Sequence, residues 1–315
     1  MRILITGGFG FVGGRLAVHL AQAGHQIILG TRHSMLVPDW LPQANVAKIA
    51  WDDERSLERS CDGVDVVIHA AGMNAQECTA DPAAALAFNG LATTRLVAAA
   101  NRTGVQYFIY LSTAHVYSSP LVGTITEDTC PRNLHPYATS HLAGEHAVLT
   151  ASQRGVMRGI VLRLSNVYGA PMHKDVNCWM LLVNDLCRQA VQTHKLVLKT
   201  NGLQQRDFIG MTEISRVVEY FILNNEKSKQ VGIFNIGAGV SKSVLDMTKM
   251  IQQRCDYLLG YIPLIEKIEI SDYEFASPFK YEITKLESIG FLMQSREEEE
   301  IDSTLSMCCK EFGIS

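Results

Sequence analysis

The tightest constraint on this chain lies in its first fourteen residues. Arg2-Ile3-Leu4-Ile5-Thr6 is a short apolar run that stops at Gly7-Gly8, and Phe11 to Ala23 then reads as a helix ended by Gly24. Glycines placed between a strand and a helix permit a tight turn and let backbone N–H groups approach a pyrophosphate. They also let helix and sheet pack closely, with the helix N-terminus facing the anion. The turn reads either as Gly8-x-Gly10-x-x-Gly13 or as Gly7-x-x-Gly10-x-x-Gly13.

The same grammar continues. Gln26 to Leu29 is a second strand, and Asp65-Val66-Val67-Ile68-His69 a third, closed by Ala70-Ala71-Gly72. Pro82 to Asn101 is rich in Ala and Leu and reads as one long helix. Tyr107 to Ser112 and Gly159 to Leu164 read as strands, with a helix from Tyr137 to Leu149 between them. Short, almost wholly apolar strands alternating with helices mean a parallel sheet covered on both faces. That pattern holds over about residues 1–165. Beyond Tyr168 it loosens, with helical stretches at Glu213 to Leu223 and Val244 to Gln253 and a strand at Phe234-Asn235-Ile236. A length of 315 residues suits two domains. The reading is a dinucleotide-binding domain over 1–165 and a mainly substrate-binding domain over 166–315, with about 212–240 returning to the first.

Composition excludes several classes. The balance of 28 basic and 32 acidic side chains gives a net charge of −4, against the basic stripe of a nucleic-acid binder. No apolar run is read as reaching the ~18 residues of a membrane span. The start carries no signal-peptide pattern. The eight cysteines form no Cys-x-x-Cys pair and the ten histidines no metal-ligand spacing. Free thiols, no metal and a cytoplasmic setting are expected.

The end of the second strand is where an NAD-selective site places Asp or Glu against the ribose 2′-hydroxyl. Here the residues are Gly30-Thr31-Arg32-His33. A carboxylate would repel a 2′-phosphate, whereas Arg32 can form a charge-assisted fork with it. NADP(H) is therefore expected over NAD(H), which remains possible.

The chain now resembles the extended short-chain dehydrogenase/reductase family, which holds nucleotide-sugar epimerases, dehydratases and 4-keto reductases. Seven segments carry the resemblance in order: Gly7-x-x-Gly10-Phe11-Val12-Gly13, Asp65 to Ala71, Asn89-Gly90, Leu111-Ser112-Thr113-Ala114-His115-Val116-Tyr117, Tyr137-x-x-x-His141, Arg163 to Gly169, and Arg206-Asp207-Phe208. The resemblance implies a Rossmann doubly wound parallel sheet with a smaller C-terminal α/β substrate domain. It implies cofactor contacts from Gly7, Gly10, Phe11, Val12, Gly13, Ala70, Ala71, Gly72, Asn89 and Val167, and a nucleotide-sugar substrate held by Asn166 and Arg206. A local Arg206–Asp207 ion pair is the plainer alternative for that segment. The resemblance further implies a homodimer formed through the Asn89 and Tyr137 helices.

In such enzymes a Ser/Thr hydroxyl and a Tyr bind the reacting sugar oxygen, and Tyr gives or takes a proton while the cofactor moves hydride. Thr113 and Tyr137 fall at those positions. The family's Lys, four residues after the Tyr, hydrogen-bonds the nicotinamide ribose and lowers the Tyr pKa; here the position is His141. An imidazole with a reference pKa of ~6.5 is mostly neutral at pH 7, so its assistance to Tyr137 is weaker. Two readings stay open: a working but retuned enzyme, or a cofactor-binding sensor with little turnover. After Thr113 the 4,6-dehydratases carry Asp-Glu, and this chain has Ala114-His115. That argues against dehydration and leaves a 4-keto-sugar reductase as the first expectation and a nucleotide-sugar epimerase as the second. His115 is a further acid or base in the epimerase reading, and otherwise a satisfied cleft or core residue.

Overall fold

The computed structural model describes residues 1–155, 157–224, 231–267 and 277–313. The strands are β1 Arg2–Thr6, β2 Gln26–Thr31, β3 Asn45–Lys48, β4 Val66–His69, β5 Tyr107–Thr113, β6 Gly123–Ile125, β7 Arg158–Leu164, β8 Asn166–Tyr168, β9 Lys195–Leu198, β10 Gln205–Gly210, β11 Gly232–Ile236, β12 Ser241–Ser243, β13 Leu264–Lys267 and β14 Phe279–Tyr281. The helices are α1 Phe11–Gln22, α2 Glu54–Cys61, α3 Ala75–Ala80, α4 Pro82–Ala85, α5 Thr93–Arg102, α6 Pro136–Gln153, α7 Leu182–Thr193, α8 Met211–Leu223, α9 Val244–Leu259, α10 Thr284–Ser288 and α11 Glu297–Phe312.

The chain divides into two compact units. The first comprises Met1–Ser119, Glu127–Leu164 and Ser215–Asn235, and the second comprises Pro120–Thr126, Ser165–Ile214 and Ile236–Ser315. Unit 1 is built on a seven-stranded sheet in the order β11-β7-β5-β4-β1-β2-β3. The ladders between β3 and β7 are all parallel. This is the mostly parallel, helix-flanked Rossmann sheet. Strand order runs outward from β1 in one direction and restarts with β4 in the other, so the carboxyl ends of β1 and β4 form the switch point where such sheets bind ligands. Leu4, Val67, Phe108 and Val161 from the sheet meet Leu57, Leu96, Val97 and Val148 from α2, α5 and α6 in one core. On α1 and α8, His19 and Glu219 pair at 2.8 Å.

Unit 2 holds a three-stranded sheet, β12-β10-β8, and two parallel pairs, β13-β9 and β14-β6. Its core joins α7, α9 and α11 through Leu186, Met247, Ile251, Ile301 and Leu305, with Cys187, Cys255 and Cys308 among them. All eight cysteines are free thiols. Among the described residues no group of His, Cys, Asp or Glu is arranged to hold a metal ion.

Three expectations are refined or corrected. The long helix read over Pro82–Asn101 is present and runs on to Arg102, but it is not α-helical throughout: a π-helical segment, Leu86–Ala92, joins α4 to α5. The widened turn carries buried Asn89 and Gly90 against α6, where a Cβ on Gly90 would come within 3.1 Å of the Ala143 methyl. Second, this stretch, extended to Arg102, is apolar and long enough to pass as a membrane span, contrary to the reading of runs. Half of that window is buried, and Leu96, Val97, Ala99 and Ala100 furnish the core of unit 1. Third, residues 120–126 belong to unit 2, because Gly123–Ile125 pairs in register with Phe279–Tyr281. Of the 212–240 segment read as returning to the first domain, 225–230 lie outside the described residues, and Ser215–Asn235 belongs to unit 1.

Candidate active site

The turn after β1 is shaped for an anion. Gly7 has φ +67°, and Gly10 N–H donates to Gly7 O at 2.8 Å. A Cβ on Gly13 would sit 2.2 Å from Gly7 O, and one on Gly7 2.9 Å from Ala70 O and Ala71 N. Side chains are therefore barred at both positions. Helix α1 has glycine as its N-cap, no side-chain cap and no acidic residue in its first turn. Its first N–H groups and positive dipole end stay available to a pyrophosphate. Phe11 and Val12 form that first turn, and the residues present fit a dinucleotide.

A buried hydrogen-bond chain ties this turn to the end of β4. Thr6 Oγ1 accepts from Ala71 N–H at 3.3 Å and hydrogen-bonds His69 Nδ1 at 2.6 Å. Thr93 Oγ1 donates to Asn89 O at 2.7 Å and so accepts from His69 Nε2–H at 2.8 Å. The accounting places a proton on His69 Nε2, and burial keeps the ring neutral, so that Nδ1 accepts from the Thr6 hydroxyl. Burial, reinforced by nearby His141, pushes its pKa down to about 3. Asn89 is 1% exposed, and its amide is engaged on protein: Oδ1 accepts from Met73 N–H at 2.8 Å, and Nδ2 donates to Ser140 Oγ at 3.1 Å. It thus fastens the segment after Gly72 to α6.

At the end of β2, Arg32 is exposed and donates from Nε to His33 Nε2 at 3.1 Å. No carboxylate pairs with it among the described residues. His33 N–H closes the turn on Thr31 Oγ1 at 3.2 Å. An unneutralised guanidinium is free to meet a 2′-phosphate.

The reacting residues come from β5 and α6. Thr113 ends β5, 5% exposed, and its Oγ1 accepts from His115 N–H at 3.1 Å. Its hydroxyl also hydrogen-bonds the Tyr137 phenol. Tyr137 opens α6 after Pro136, with His135 as N-cap accepting from Tyr137 N–H at 3.1 Å. One helical turn on, His141 meets the Tyr137 ring edge to face, with centroids 4.6 Å apart. Burial pushes His141 down to about 4, so it is uncharged at neutral pH. Burial also raises the Tyr137 pKa, and the Thr113 bond only partly opposes this. Tyr137 is consequently a phenol, not a phenolate. Ala114 is buried, whereas His115 is exposed and so is not a core residue.

Behind these groups lies a charge pair that the motifs did not flag. Arg163 on β7 donates from Nε and Nη2 to Glu145 on α6, at 3.0 and 2.6 Å, with the two side chains 3% and 0% exposed. Ser112 donates to the same carboxylate. The signal was present: a charged residue inside a wholly apolar buried strand demands a partner.

The remaining candidates lie in unit 2. Val167 and Asn166 are on β8, which pairs with β10, and Asn166 Nδ2 donates to Asp207 O at 2.9 Å. Arg206 Nε and Nη2 both donate to Gln204 Oε1, at 3.0 and 2.7 Å. Asp207 is engaged elsewhere. It accepts from Ser165 at 2.6 Å and from Ala238 and Gly239 N–H, both at 2.9 Å. Burial lifts its pKa to about 6 against those bonds. Arg206 is therefore held in place by an amide, with Asp207 organising the turn beyond β11.

Comparison with known proteins agrees with this architecture. The chain is 25% identical over 272 residues to the dTDP-D-glucose 4,6-dehydratase of Bos taurus, covering 80% of this chain and 72% of that one. It is 25% identical over 307 residues to the UDP-glucose 4-epimerase of Haemophilus influenzae, covering 85% and 86%. The crystal structure of UDP-glucuronic acid 4-epimerase from Bacillus cereus, in complex with UDP-glucuronic acid and NAD, has the same fold. It matches at a TM-score of 0.77 and 20% identity over 99% of this chain and 100% of that one. Residues 3–237 match the NAD dependent epimerase/dehydratase family, and the chain belongs to that family of extended short-chain dehydrogenase/reductase enzymes.

Proposed function

We propose that the protein is an NADP(H)-dependent reductase of a nucleotide-linked 4-keto sugar. The observation that carries this is the placement of Tyr137, whose pKa burial raises, against the ring of a buried, uncharged His141 where the family has lysine. A phenol that keeps its proton through the neutral range is fitted to donate it, and poorly fitted to begin a cycle by abstracting one. When bound, the reduced nicotinamide supplies hydride. Thr113 and Tyr137 hydrogen-bond the C4 carbonyl oxygen, and Tyr137 gives its proton to that oxygen as the carbon receives hydride, leaving an alcohol and a phenolate that solvent reprotonates. Ala114-His115 offers no carboxylate pair for dehydration.

The test is absorbance at ~340 nm, the reduced-nicotinamide band, with a panel of UDP- and dTDP-linked 4-keto sugars. Stoichiometric loss of NADPH with formation of a 4-hydroxy sugar is expected. Interconversion of C4 epimers without net cofactor change would instead support the epimerase reading, which the epimerase relatives favour. Cofactor binding with neither reaction would support a sensor. For cofactor choice, Arg32→Ala should weaken NADPH binding about 10-fold or more, the worth of one charge-assisted contact, and leave NADH binding unchanged. Equal losses for both would remove Arg32 from the 2′-phosphate. In the same reading the protein works as a homodimer, supported by Leu86 and Leu91, about half exposed beside the Asn89 turn.

A further inference from the structure

The imidazole at position 141 is more than a shortened substitute for lysine, because the fold has built a partner for its inner nitrogen. Tyr110 on β5 is 1% exposed, and its hydroxyl lies 2.9 Å from His141 Nδ1. Its ring is stacked on His69, with centroids 5.5 Å apart and planes at 26°. Helix α6 makes room for that hydroxyl: a Cβ at Gly144 would lie 2.7 Å from Tyr110 Oη. Any residue but glycine there would push the phenol away from His141.

Hydrogen-bond accounting then sets the proton. The Tyr110 hydroxyl has His141 as its one protein partner among the described residues. Were Nδ1 the protonated nitrogen, it would donate to Tyr110 Oη and leave a fully buried O–H with no acceptor, which is costly. With Tyr110 as donor, Nδ1 accepts and the ring proton resides on Nε2. That nitrogen has no protein partner among the described residues although His141 is only 7% exposed. The Cε1–Nε2 edge looks onto Gly72, where a Cβ would lie 3.8 and 3.9 Å from the two atoms.

We propose that Tyr110 is a positioning residue that locks His141 as the Nε2–H tautomer, so that the site presents one fixed, uncharged donor at Gly72 to a hydroxyl of the nicotinamide ribose. This rests on the reading of the site as a nicotinamide-dinucleotide pocket. A lysine would bring three rotatable donors and a charge; this arrangement brings a single donor in a set direction.

The experiment is ¹⁵N NMR of the imidazoles in the protein without cofactor, with His141 assigned by its loss in His141→Gln. The wild type should show Nε2 protonated and Nδ1 accepting at pH 7, unchanged down to about pH 5. In Tyr110→Phe the Nδ1 signal should lose its hydrogen-bond shift and both tautomers should appear. Binding of NADPH and NADH should fall several-fold, while binding of ADP, which lacks the nicotinamide ribose, holds. A wild-type His141 protonated on Nδ1, a variant with the wild-type tautomer, or equal losses for dinucleotide and ADP would each overturn the proposal. A wild type that binds no nicotinamide dinucleotide would sink the reading of the site, with the tautomer measurement still standing on its own.

Discussion

Tyr137→Phe is expected to lower turnover by ~10²–10⁴-fold while leaving dinucleotide affinity close to wild type. The substitution removes the one hydroxyl placed to give a proton to the sugar oxygen and keeps the ring that packs on His141. The Thr113 hydroxyl remains to bind the carbonyl oxygen, so residual activity should persist. The companion change is His141→Lys. An ammonium one turn from Tyr137 stabilises the phenolate, and so lowers a pKa that burial has raised. The pH profile of the reverse reaction, alcohol oxidation, follows the phenolate, and its rising limb should move to lower pH in the lysine variant. The reductive direction should keep or gain rate near neutrality. Steady-state kinetics in both directions over about pH 6–10, the span between the ordinary His and Tyr values, checks this. An unchanged oxidative profile would mean that position 141 does not govern the Tyr137 proton.

The second large effect concerns stability. Glu145→Ala should destabilise the protein by ~3–5 kcal/mol, because it leaves the Arg163 guanidinium buried without its counter-charge and Ser112 without its acceptor. Glu145→Leu combined with Arg163→Met removes both charges and fills similar volume. It should cost far less, since a buried pair recovers little beyond its own desolvation. Urea denaturation midpoints of the two variants decide it. Equal destabilisation would show that the loss is one of packing rather than an uncompensated charge. The pair lies behind Thr113 and Tyr137 on adjoining elements, so a local loosening should also reduce turnover before global unfolding is reached.

Much of the fold could be read from local signals because those signals are dense here. Five apolar strands, glycines at a strand–helix turn and helices of ordinary length leave few alternatives to a parallel sheet. The π-helical stretch inside the Pro82–Arg102 helix shows where such signals fail. A π-turn has nearly the same composition as an α-helix, and only the demand that Asn89 reach Met73 and Ser140 reveals it. Likewise Thr6, His69 and Thr93 are unremarkable residues until three separated segments close one hydrogen-bond chain. Tyr110 reads as an ordinary strand aromatic, and nothing local pairs it with a histidine on α6. The Arg206–Asp207 neighbours invited an ion pair, yet the described bonds send the guanidinium to Gln204 and the carboxylate to the turn at 238–239. Adjacent strand residues point to opposite faces, which disfavours the shortest pairing.

The split composition of unit 1 bears on how the chain is made. A ribosome releases residues in order, and six of the seven sheet strands have emerged once β7 is complete at Leu164. The seventh, β11, comes only at Gly232–Ile236, after the second unit's segment Ser165–Ile214. Throughout that interval the outer edge of β7 offers unpaired backbone groups to any passing strand. The Tyr117 hydroxyl, whose acceptor is Asn235 Oδ1 at 2.7 Å, waits for the same segment. Nascent chains halted between about 165 and 230 are therefore the form of this protein most in need of a chaperone.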